Sequence, residues 1–172
     1  MKTPSSIIIL AAMTAASFTA AALPRETADS TLYSEPYRPQ YHYTPAHRWI
    51  GDPCGLLRHD GRYLGYCWGA AETPDLVHWT EINREAILGL PDNISPFTGS
   101  VVVDRDNTAG WGEGALVAAF TSFDKDSKKQ SQSVAFSHDG GKTFRYYDLN
   151  PVIDTWSTEF RDPTVIRYAP SG

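Results

Sequence analysis

Two aspartates stand directly before prolines, Asp52-Pro53 and Asp162-Pro163, about 110 residues apart in a chain of 172. The proline ring fixes the local backbone and so helps aim the preceding carboxylate at a ligand. A carboxylate held in this way can attack an electrophilic carbon or stabilise positive charge that develops beside it. Taken alone, each pair reads most simply as a turn before proline, in which the Asp side chain can cap its own backbone. Metal chemistry has little to work with: Cys54 and Cys67 match no zinc spacing, and Pro45 between His42 and His47 spoils a helical ligand pair. No metal and no cofactor are expected. Cys54 sits beside the Asp52 turn and Cys67 ends a predicted strand, so two thiols are expected rather than a bridge, although a disulfide is chemically allowed in an oxidising compartment.

The charge balance narrows the partner. A net charge of -5 with no basic cluster beyond Lys128-Lys129 offers nothing to neutralise phosphates, so nucleic acid is excluded and a neutral substrate fits better. Lys2, the apolar run Ile7 to Ala16 and the small residues Ala20-Ala21-Ala22 have the layout of a secretory signal peptide over residues 1-22, with a secreted, extracellular product starting near Leu23. That apolar run is short of the roughly 20 residues a spanning helix needs, and no membrane association is expected. Asn93-Ile94-Ser95 is a glycosylation sequon, weakened by Pro96.

The elements that must hold the two aspartates are strands. Residues 23-37 are polar and aperiodic and read as an extended lead-in, with one domain over residues 38-172. Short β-rich runs follow at Tyr63 to Trp68, Val101 to Val103, Ala115 to Thr121, Ser133 to Ser137, Phe144 to Tyr147 and Thr164 to Tyr168. The segments Thr73-Pro74-Asp75-Leu76-Val77-His78-Trp79 and Ser137-His138-Asp139-Gly140-Gly141-Lys142-Thr143-Phe144 echo one another, each with a hydroxyl residue, an Asp and then an aromatic. The Asp residues lie 64 positions apart, a period that suits a four-stranded propeller blade. The second copy resembles the Asp-box of sialidase-type propellers, so Asp139 is assigned to a turn and not to catalysis. Propellers close with four to eight blades, and residues 23-172 suffice for two to three.

The stretch Trp49-Ile50-Gly51-Asp52-Pro53-Cys54-Gly55 resembles the opening W-M-N-D-P-N-G motif of glycoside hydrolase family 32, the invertases, inulinases, levanases and related fructosyltransferases. Phe97-Thr98-Gly99-Ser100 is similar to the family's F-S-G-S element, Trp68 through Trp79 to its W-G-x-A…D-L-x-H-W run, and Phe160-Arg161-Asp162-Pro163 to its R-D-P motif. These motifs occur in the family's order and extend from Tyr41 onward. The resemblance implies an all-β fold, a five-bladed β-propeller of the fructosidase type, incomplete in this chain. It implies a retaining glycosidase acting on sucrose or fructans, with Asp52 as nucleophile and Asp162 hydrogen-bonded to the fructosyl hydroxyls. Trp49, Phe97, Thr98, Ser100 and Arg161 would then border the sugar.

Three departures matter. Ile50, Gly51 and Cys54 differ from the commonest form of the first motif. The family's F-Y-Q segment and the loop after it are replaced by Tyr63-Leu64-Gly65-Tyr66-Cys67 running straight into Trp68-Gly69-Ala70-Ala71. The family's general acid, a Glu in an E-C motif, is expected beyond Gly172, and neither Glu113 nor Glu159 sits in such a motif. The chain by itself is therefore expected neither to close a stable domain nor to hydrolyse sucrose or inulin. The alternatives are a fructosyltransferase of the same family and a non-catalytic carbohydrate-binding propeller module. A sialidase is less favoured, for want of an arginine triad and a Tyr nucleophile.

Overall fold

The computed structural model describes residues 33-39, 41-47 and 49-166. The expected signal peptide, most of the expected lead-in and the end of the run Thr164 to Tyr168 lie outside them. Among the described residues there are nine strands and no helix. The first sheet is an antiparallel meander of β1 (Cys54–His59), β2 (Arg62–Tyr66), β3 (Ala70–Thr73) and β4 (Thr80–Asn83). After β5 (Ile87–Leu88), a second meander runs through β6 (Ile94–Asp104), β7 (Ala115–Asp124), β8 (Gln130–Ser137) and β9 (Phe144–Tyr146). β5 leaves the first sheet and pairs in parallel with β9, at the far edge of the second.

Each meander has the size and topology of a propeller blade, and the 64-residue echo falls at the same place in both. In each, the Asp-bearing turn joins the third strand to the fourth. In the first turn Asp75 Oδ1 accepts from the backbone N–H groups of Val77 (2.9 Å) and His78 (2.8 Å). In the second, Asp139 Oδ1 accepts from Thr143 N (3.0 Å) and from the Ser137 hydroxyl (2.8 Å), while Oδ2 accepts from the Thr143 hydroxyl (2.7 Å). Burial pushes the Asp139 carboxyl up, but the hydrogen bonds from Thr143 and Ser137 outweigh it and hold the group below the usual carboxylate range. Asp139→Ala strips the turn of these acceptors and is expected to cost about 1–3 kcal/mol. Urea unfolding of the two proteins measures it.

The core lies where the two blades face each other. β2 delivers Leu64 and Tyr66 and the following turn delivers Trp68. Opposite stand Leu116, Ala118 and Phe120 of β7, Ala135 of β8 and Phe144 of β9, all buried. Tyr66 meets Phe144 edge-on at 5.4 Å between ring centroids, and Trp68 tilts over Phe120 at 5.4 Å. The phenol of Tyr66 would be orphaned in such a core, but its O–H donates to the carbonyl of Gly141 at 2.9 Å. Gly141 has φ of 83°, and a Cβ there would come within 2.3 Å of that same oxygen, so the second Asp turn must carry glycine where it touches the first blade.

Five of the six expected strands are present: β6, β7 and β8 run longer than expected, while β2 stops at Tyr66, leaving Trp68 in the following turn, and β9 stops at Tyr146. Residues 164-166 of the sixth carry no strand. Four others, β1, β3, β4 and β5, escape a reading based on β-branched and aromatic runs. β3 is Ala-Ala-Glu-Thr, a poor β-former by composition, and pairing on both sides with β2 and β4 overrides that preference. Where the motif reading expects a shortened connection after β2, the chain makes a tight turn in which Cys67 N donates to Gly69 O at 3.2 Å and Trp68 takes φ of 55°. A Cβ on Gly69 would lie 2.9 Å from the Asn83 carbonyl, so the first blade packs closely against this turn.

Candidate active site

Asp52 and Asp162 open into the same cavity, of about 460 Å³, lined also by Trp49, Gly51, Cys67, Trp68, Pro96, Phe97, Thr98 and Arg161. That volume is in the range of small-molecule sites. Both aspartates are exposed.

Each carboxylate is placed by a strand-level device. Asp52 precedes β1, whose first residue, Cys54, is buried and anchors the segment in the core. Its Oδ2 accepts from the Thr98 hydroxyl at 3.3 Å. Thr98 is the extra residue of a bulge in β6, where Phe97 pairs with Thr121 and Gly99 with Phe120. A Cβ on Gly99 would lie 2.0 Å from the Ala119 carbonyl, so the bulge requires glycine. Phe97 is fixed on two sides: its ring stacks on Phe123 at 4.7 Å, and its carbonyl accepts from the Trp68 indole N–H at 2.6 Å. Asp162 sits on an irregular segment and has φ of 66°, a left-handed conformation that Asp and Asn tolerate better than most residues. Beside it, Arg161 donates to Glu159 at 2.5 Å and to Gln130 at 3.4 Å, and its Nε lies 4.0 Å from Asp162 Oδ2.

Six of the seven residues singled out by sequence thus line one cavity: Asp52, Asp162, Trp49, Phe97, Thr98 and Arg161. Ser100 does not. Its hydroxyl donates to the Pro163 carbonyl at 3.1 Å and accepts from Val165 N at 3.0 Å, so it is used to tether the chain after Asp162 and is not free for a ligand. Trp68, Cys67 and Pro96 are cavity residues that motif reading did not assign. The signal for Trp68 was an aromatic at a strand end next to glycine. For Pro96 there was none. Glu159 is taken up by Arg161 and does not line the cavity, nor does Glu113. A smaller depression, of about 220 Å³, adjoins, sharing Trp49, Gly51 and Cys67 and including Glu81, Arg84 and Glu85.

Both cysteines are free thiols. Burial pushes Cys54 up to about 11, and burial and then the nearby Asp52 charge push Cys67 up as well. Thiolate is the reactive form. A thiol titration is therefore expected to count two groups in denaturant. In the native protein Cys54 should stay silent, and Cys67 should react slowly at neutral pH and faster as pH rises.

The glycosyl hydrolases family 32 N-terminal domain matches residues 42–171. The chain belongs to family 32. It is 38% identical over 164 residues to a levanbiose-producing levanase of Bacillus subtilis, covering 83% of this chain and 31% of the levanase. It is 40% identical over 154 residues to an invertase of Schwanniomyces occidentalis, covering 77% and 28%. Among solved structures, it superposes on a fructofuranosidase of Schwanniomyces occidentalis complexed with fructose with a TM-score of 0.66 and 38% identity, covering 80% of this chain and 31% of that one. With an exo-inulinase of Aspergillus awamori the TM-score is 0.68 at 35% identity, covering 77% and 33%. The family 32 chain therefore spans about a third or less of the length of these relatives. Its two meanders are blades of the fructofuranosidase propeller.

Proposed function

We propose that the whole protein to which this family 32 chain belongs is a retaining β-fructosidase, cleaving sucrose or fructans with Asp52 as nucleophile. The observation that carries this reading is that the two Asp-Pro carboxylates, from opposite ends of the chain, open into one cavity of sugar size beside aromatic and cationic side chains. Asp52 attacks the anomeric carbon of the fructosyl unit and the glycosidic oxygen leaves. The carboxylate of Asp162 lies against the ring, accepts from its hydroxyls and gains strength as the ring becomes cationic, which lowers the barrier. Trp49, largely exposed at 87%, supplies a face for the apolar side of the sugar, and Thr98 holds the Asp52 carboxylate while donating to it. Phe97 and Arg161 form part of the wall. A third group must protonate the leaving oxygen, and in this reading it comes from outside the described residues, since Asp52 and Asp162 are the only carboxylates among those lining the cavity.

The N-terminal layout of charge, apolar run and small residues supports secretion, and a relative from Aspergillus niger is an extracellular exo-inulinase. The test is release of fructose from sucrose, inulin and levan by the whole protein. Fructose from any of the three fits the reading. No release from any of them, by folded protein, refutes it.

A further inference from the structure

We infer that Thr121 is a positioning residue for Asp162, held in its working orientation by Gln132; this rests on the role proposed for Asp162. Neither residue lines the cavity, and both are buried, Thr121 completely. They are cross-strand partners on β7 and β8, facing the irregular segment that carries Asp162. Polar side chains so deep in a sheet need partners, and theirs are specific. Gln132 Nε2 donates to the Phe160 carbonyl at 2.7 Å, which fixes the orientation of the amide. Its Oε1 can then only accept, and it lies 3.0 Å from the Thr121 hydroxyl, which must be the donor. The Thr121 oxygen is thereby left as an acceptor, and it takes the backbone N–H of Asp162 at 2.9 Å.

The direction of every proton in this chain follows from the carbonyl at its end. The consequence falls on a backbone that would not otherwise hold its shape. Asp162 is left-handed at φ of 66° and is followed by proline, which further restricts it. Such a conformation persists where the surroundings over-determine it. Here Gln132 holds residue 160, Thr121 holds residue 162, and Ser100 holds residues 163 and 165. Of these, only Thr121 acts on Asp162 itself, so it sets the direction in which that carboxylate leaves the backbone.

Ser122, the next residue on β7, provides an internal comparison. It is also buried, and its hydroxyl donates to that of Ser133 at 2.7 Å, not to a group of the Asp162 segment. Thr121→Val keeps the shape and removes the acceptor. In the whole protein it is expected to lower kcat roughly tenfold to a hundredfold with little change in KM, the effect of a misplaced catalytic group. Ser122→Ala, with a comparable loss in Tm, should lower kcat far less. Thr121→Ser, which keeps the oxygen, should restore most of what Thr121→Val loses. In an Asp162→Asn background Thr121→Val should add little further loss, since the group being positioned is already disabled. If Thr121→Val does not fold, Thr121→Ala removes the same oxygen and enters the same comparison.

The inference is overturned if Asp162→Asn is impaired while Thr121→Val keeps its kcat, or if Ser122→Ala loses as much kcat for the same loss in Tm. It is also overturned if the two changes multiply in the double variant. An Asp162→Asn protein with wild-type turnover would overturn the proposed function itself, and this inference with it.

Discussion

Asp52→Asn is expected to lower fructose release by about four powers of ten or more while leaving the fold intact. The amide has nearly the shape of the carboxylate but cannot form the ester to the fructosyl carbon, so the path through a covalent intermediate closes. Little stability should go with it. Asp52 is exposed and, among the described residues, its side chain accepts one hydrogen bond, from Thr98 and long at 3.3 Å, so stability should move by no more than a surface change does, within about 0.5 kcal/mol. Initial rates on sucrose, with a thermal melt of the same sample, separate the two effects.

Asp162→Asn is expected to cost about two to three powers of ten, nearly all in kcat, the size of effect seen when one preorganised electrostatic partner is removed from a charged transition state. Asparagine is the informative replacement. It tolerates the left-handed backbone at 66°, and it leaves in place the N–H bonded to Thr121. It can still hydrogen-bond ring hydroxyls, so substrate binding should survive while stabilisation of the ring cation does not. Asp162→Ala, by contrast, adds backbone strain to the loss of charge and should also lower Tm. A kcat for Asp162→Asn within a factor of two or so of wild type would remove Asp162 from the mechanism.

The sequence was most informative where local chemistry dictates local shape. Ser137 and Asp139, two residues apart, specify their turn because a hydroxyl and a carboxylate at that spacing can take up its N–H groups, and the same logic holds for Thr73 and Asp75. The apolar run in β7 was legible because both faces of that strand are covered. β3 and β4 were hidden because they are strands by virtue of their neighbours. At the site, the two Asp-Pro pairs could be read from the residues themselves, while their convergence was legible only through the family resemblance, since it depends on how 110 intervening residues pack. Ser100 stands apart from the other motif residues for a definite reason. Motif reading sets Thr98 and Ser100 side by side at the sugar, but Ser100 lies beyond the bulge at Thr98, and the segment after Asp162 takes up its hydroxyl. Gln130, Gln132 and Thr121 were visible only as polar letters in strands. Their burial is what gives them meaning, and burial is a property of the folded sheets.

The central claim, that Asp52 attacks the fructosyl carbon, is tested most directly by trapping the intermediate. The whole protein is mixed with sucrose, quenched in acid during turnover, digested and mapped by mass spectrometry. The account predicts one fructosyl group carried as an ester on the peptide containing Asp52. A fructosyl group found on any other residue would contradict it.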